Sequence, residues 1–124
     1  MEEKEIKTSH KRLLALISIL NERNIVVSLE GLAKIAHGEE DEETSPIKDE
    51  FFFSICPSVS KKKIKSRINY LYRYGYLSLK YDERLEDYAY YLSKKGKINA
   101  DISLIKKKTI EKRQKKTIII EEEK

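Results

Sequence analysis

The chain has 124 residues, enough for one small domain with a single hydrophobic core. Charged residues make up 38% of it, against about 25% in an ordinary soluble domain, yet the net charge is only +5. A lone cysteine, Cys56, excludes an internal disulfide framework, and no apolar run approaches the roughly 20 residues of a membrane span, so a cytoplasmic protein is expected.

Charge is segregated along the chain. Residues 25–57 hold two Lys or Arg against eight Asp or Glu, residues 58–80 hold seven against none, and residues 94–116 hold ten against two. Such asymmetry points to an anionic partner for one surface. Lys and Glu enrichment also serves surface ion networks, so composition alone leaves both readings open.

Residues 1–8 read as an N-terminal arm. Ser9 is expected to cap a helix running to about Arg23, in which Leu13, Leu16, Ile17 and Leu20 recur at i, i+3, i+4 and i+7. Asn24 suits the stop, and "IVV" at 25–27 reads as a short β-branched strand. Ser28 caps a second helix with Leu29, Leu32, Ile35 and Ala36 inward and Gly38 at its end. The acidic "EEDEETSPIKDE" at 39–50 has no periodicity and carries Pro46, which predicts a solvated loop. "FFFSIC" then fits either a short helix or a buried strand. Together 39–57 form an insertion whose Phe51, Phe52 and Phe53 either complete the core, as Phe usually does, or dock a protein partner.

In "SVSKKKIKSRINYLYRYGYLSL", residues 58–79, six Lys and Arg occur without one Asp or Glu. With Ser58 or Ser60 as cap, a helix runs to Tyr74 and puts Ile64, Ile68 and Leu71 on one face. The opposite face then holds Lys62, Lys63, Ser66, Asn69, Tyr70 and Arg73, flanked by Lys61, Lys65 and Arg67. Gly75 ends it. "YLSLKY" and "DYAYYLS" alternate around "DERLE", which predicts an antiparallel hairpin with Leu77, Leu79, Tyr81, Tyr88, Tyr90 and Leu92 on one side. Ser93 caps a last helix, "KKGKINADISLIKKK", with Ile98, Ile102 and Ile105 in a stripe; residues 106–124 read as a charged extension.

The order helix, short strand, helix, helix, hairpin, helix resembles a winged helix-turn-helix domain over residues 9–105, an α+β fold that is mainly α. Ser60, Ile64, Ile68, Leu71, Gly75, Tyr76 and Leu77 match a recognition-helix pattern of MarR- and PadR-like regulators, and Tyr90, Leu92, Ser93, Lys95 and Gly96 match the end of their wing. These are scaffold positions, so they speak for fold more than for function. The resemblance implies double-stranded DNA as partner, with the third helix in the major groove, and a homodimer through the C-terminal helix. Ser60, Lys61, Lys62, Lys63, Lys65, Ser66, Arg67, Asn69, Tyr70 and Arg73 are the expected DNA-binding residues, with Arg84 at the wing tip. Lys and Arg suit phosphate; Ser, Asn and Tyr suit bases, sugar or phosphate. A protein-interaction adaptor, or a partition or replication accessory protein, is the alternative.

His10, His37 and Cys56 lack metal-ligand spacing, and the four glycines are scattered singly, so neither metal nor cofactor nor enzymatic activity is expected.

Overall fold

Apolar stripes on three helices meet to form the core in a computed structural model that describes residues 6–105. Helix α1 spans Thr8–Glu22, α2 Leu29–His37 and α3 Lys61–Arg73. Strands β1 (Leu77–Asp82) and β2 (Asp87–Leu92) follow, and α4 covers Lys94–Asn99. This is a small α+β domain, about half helical, with a two-stranded antiparallel hairpin. Among the described residues no helix is long and apolar enough to cross a membrane.

Helix α1 starts earlier than its expected cap. Lys7 is the extended residue before the first turn, its N–H donates to His10 Nδ1 at 3.4 Å, and Ser9 is already helical. Ile6, assigned to an arm by sequence, is buried in the core. Asn24, with φ of 59°, turns the chain out of α1. Helix α2 is capped as expected, Ser28 Oγ accepting from the Gly31 N–H at 3.2 Å.

Helix α3 is capped by Ser60, whose Oγ accepts from the Lys63 N–H at 3.2 Å, and Ile64, Ile68 and Leu71 are fully buried. At its end the Tyr76 N–H returns to the Leu71 carbonyl and the Gly75 N–H to that of Tyr72. This paired closure needs a left-handed residue, and Gly75 supplies it with φ of 85°.

The hairpin register sets Leu77 opposite Leu92, Leu79 opposite Tyr90 and Tyr81 opposite Tyr88. The end nearest the helices is buried, while Tyr81 and Tyr88 stand exposed, edge to face at 5.5 Å. Residues 25–27 do not form the expected strand. Val27 contributes one bond, its carbonyl accepting from the Tyr90 N–H at 3.3 Å. Asn21 of α1 does the pairing instead: its carboxamide donates to the Tyr90 carbonyl and accepts from the Leu92 N–H, both at 3.1 Å.

Residues 39–50 form the expected loop, largely exposed, but it is pinned to the domain at one buried residue. Thr44 is 3% exposed, and its N–H and Oγ1 exchange bonds with the Asp41 carboxylate and N–H at 3.1 and 3.0 Å, the reciprocal geometry of a helix capping box. The Asp41 carboxylate also meets Lys34 Nζ at 2.8 Å. The "FFFSIC" run is neither helix nor strand but a series of turns, tied to α2 by Ser54 and Cys56 N–H groups on the Ile35 and Ala36 carbonyls, each at 2.8 Å. Phe52 is completely buried and Phe51 and Phe53 half-buried, so the phenylalanines serve the core.

Helix α4 is shorter than its isoleucine spacing predicts. Ala100 turns extended, and Asp101 opens a new turn with its carboxylate accepting from the Ser103 N–H at 3.1 Å. Ile98 is 77% exposed, Ile102 half-buried and Ile105 buried, so the three do not share one helix face. The stripe expected to pair two copies is therefore broken within the described residues; the extension at 106–124 lies outside them.

Gly96 sits where α4 crosses the end of α3. A Cβ there would overlap the backbone carbonyl of Tyr76, which has no flexible end to move aside. Gly96→Ala is expected to cost about 3 kcal/mol, read as a lower denaturant midpoint at unchanged slope.

Candidate nucleic-acid interface

Helix α3 owes its outward face to the same period that buries its other side. With Ile64, Ile68 and Leu71 against α1 and α2, the residues half a turn away must face solvent. Lys61, Lys62, Lys65, Ser66, Asn69, Tyr70 and Arg73 line a shallow open groove of about 630 Å³ along this face. Seven of the sequence-predicted residues are thus brought together.

Their environments differ. Lys62, Lys63 and Arg73 are exposed and Arg67 is half-buried, and none of the four ion-pairs with a described residue. Ser66 and Asn69 stand exposed between them, with no side-chain hydrogen bond to a described residue. Tyr70 is half-buried in an aromatic string, 4.9 Å from His10 and 4.5 Å from Tyr74 between ring centres. Burial, and then the nearby charges of Arg67 and Lys7, hold His10 below the ordinary histidine range.

Lys61 and Lys65 are placed differently. Lys65 ion-pairs with Glu30 of α2, and Lys61 with Glu39 and, at 3.6 Å, with Glu30. The hydrogen bond from Lys65 holds the Glu30 carboxyl below the usual carboxylate range, and the bond to Glu39 pushes the Lys61 ammonium up. Glu30 and Glu39 belong to this surface, and sequence reasoning did not include them. Their partners lie 35 and 22 positions away, so no local spacing announces the pairs.

Arg84 is not part of the groove. It forms a two-point pair with Asp82, Nε to Oδ1 at 3.3 Å and Nη2 to Oδ2 at 3.0 Å, which lowers the Asp82 carboxyl from its usual range. It borders a second cleft of about 620 Å³ beside Val26, Thr44 and Ile47. Ser60 is occupied as the cap of α3, and Lys63 and Arg67 flank the groove without lining it.

The residues considered for metal binding are engaged elsewhere. His37 Nδ1–H donates to the Val59 carbonyl at 2.8 Å, and Cys56 is buried. Among the described residues no three His, Cys, Asp or Glu side chains converge as metal ligands would.

No protein-family model, curated protein or solved structure matches this chain. What the face can do therefore rests on its own chemistry. Cations on a groove beside uncommitted Ser and Asn side chains suit a regularly spaced polyanion that also presents hydrogen-bonding edges.

The first turn of α3 adds a physical oddity. Three lysines, Lys61 to Lys63, stand at the positive end of the helix macrodipole, with no acidic residue in that turn. Each such placement costs about 0.3–1 kcal/mol at low ionic strength. An anion at this end offsets that cost.

Proposed function

We propose that this protein binds duplex DNA through the outer face of α3 and reads sequence in the major groove, as a small transcriptional regulator with a winged-helix architecture. The element order α1, α2, α3, β1, β2, α4 is compatible with that architecture. The observation that carries the reading is one exposed stripe. Lys62, Lys63, Arg67 and Arg73 have no carboxylate partner among the described residues, and Ser66 and Asn69 stand between them with uncommitted side chains.

In this reading the four cations hold phosphates, and Asn69 and Ser66 address base edges. An α-helix fits the major groove, and a carboxamide can pair with adenine N6 and N7. Tyr70, held by His10 and Tyr74, contacts sugar or phosphate from a fixed position. The wing contributes little cation, because its Arg84 is committed to Asp82.

Four phosphate contacts imply a salt slope of about −3.6, so affinity for mixed-sequence duplex falls roughly a hundredfold between 50 and 200 mM salt. Six contacts, one for every Lys and Arg on the helix, would give roughly a thousandfold. A salt titration of binding checks this. Absence of duplex retention at the lower salt would sink the proposal and leave a protein-binding adaptor as the reading. Selection from a random duplex pool then tests sequence reading. A symmetric site would report two copies on the DNA, a single half-site one copy.

A further inference from the structure

Two of the six cations on α3 already hold anions from the same chain. Glu30 projects from the first turn of α2, and Glu39 follows that helix directly, so α2 and the start of the acidic segment bring both carboxylates to the N-terminal half of α3. There they meet Lys61 and Lys65, which also line the groove. A carboxylate oxygen on an ammonium offers the same charge-assisted hydrogen bond that a phosphate oxygen would. The side chains of Lys61 and Lys65 are each 34% exposed, with those of Glu30 at 48% and Glu39 at 35%. Pairs this open to water are held weakly and are exchangeable.

We propose that Glu30 and Glu39 are built-in competitors of DNA phosphate, keeping Lys61 and Lys65 out of the anion-binding face. The inference rests on the duplex-binding reading above. It makes the acidic residues determinants of how strongly the protein holds DNA of any sequence. Nonspecific affinity is essentially electrostatic, so each cation withheld lowers it directly, while contacts from Asn69 and Ser66 to bases are left in place. The competitors hold the ammonium ends of Lys61 and Lys65, the same atoms a phosphate oxygen would seek.

The test compares the full chain with its Glu30→Gln, Glu39→Gln double variant on a short mixed-sequence DNA duplex. Gln keeps the shape and removes the charge. The variant is expected to bind at least about tenfold more tightly at 50 mM salt and to show a slope steeper by about 1.8, near −5.4. Adding Lys61→Gln and Lys65→Gln to that variant should return the slope to that of the unaltered protein. An unchanged affinity and slope in the double variant, with the unaltered protein binding as expected, overturns the competition and leaves duplex binding standing. If neither protein is retained at the lower salt, the duplex-binding reading itself fails, and the competition with it.

Discussion

Reversing charge at the two ends of the exposed stripe, with Lys62→Glu and Arg73→Glu together, is expected to lower affinity for duplex DNA at least about a hundredfold at 100 mM salt. Removing two phosphate contacts alone takes about 1.8 from the salt slope, worth roughly sixtyfold at that concentration. Replacing the cations by carboxylates adds repulsion at the same positions. Both residues are exposed and ion-pair with no described residue, so no ion pair within the described fold is lost. Their effects on the helix also oppose each other. Glu in the first turn of α3 complements the dipole and Glu in the last turn opposes it, by about 0.3–1 kcal/mol each. A thermal melt close to that of the unaltered protein should accompany the loss. Lys48→Glu, on the acidic segment, reverses a single charge away from α3 and should leave binding nearly unchanged. Binding that survives the double reversal would place the DNA somewhere other than α3.

Phe52→Ala is expected to cost about 3–5 kcal/mol of stability. The ring is completely buried, meets Phe51 edge-on at 5.6 Å between centroids, and carries the Arg23 guanidinium 5.2 Å from its centre. For a domain of this size each kcal/mol shifts the melting temperature by about 4–8 °C, so a fall of at least about 12 °C should be seen. Phe51→Ala and Phe53→Ala, at half-buried positions, should each cost less than half as much. A melting curve unmoved by Phe52→Ala would mean that the ring is surface rather than core. It would reopen the segment 39–57 as a docking site.

What could be read from the sequence were the elements whose signals are local. The 3.6-residue period of Ile64, Ile68 and Leu71 lies between a serine cap and a glycine stop, so α3 is specified from within. The hairpin register follows from alternation on both strands, since a slip by one residue would expose the whole apolar set. Where the signals compete, expectation and structure part. The Ile98, Ile102, Ile105 period argues for a continuing helix, but Asp101 and Ser103 close a local turn, as an Asp two residues before a Ser readily does. That competing signal was present in "NADIS".

The segment 39–57 illustrates a second limit. Acidic composition and Pro46 point to a solvated loop, and most of 39–50 is exposed, but Thr44 is buried where it and Asp41 satisfy each other's backbone groups and Lys34 meets Asp41. The D-x-x-T spacing was a usable cue; the lysine partner was not. Asn21 is a third case. A carboxamide standing in for a β-strand can be seen only once α1 and β2 are side by side. The stripe on α3 was legible in the same partial way. Its membership follows from helix geometry, while the assignment of Lys61 and Lys65 to Glu30 and Glu39 depends on tertiary placement.

The junction between α3 and α4 has a mechanical consequence. Ser93 Oγ donates to the Gly75 carbonyl at 2.5 Å, the Ser93 N–H to the Tyr76 carbonyl at 3.1 Å, and Lys95 Nζ to the Tyr74 carbonyl at 2.9 Å. Three successive carbonyls are thereby clasped by the start of α4, with Gly96 seated against the third. The tail of the groove-lining helix, next to Arg73, is thus anchored through main-chain oxygens as well as through its buried side chains.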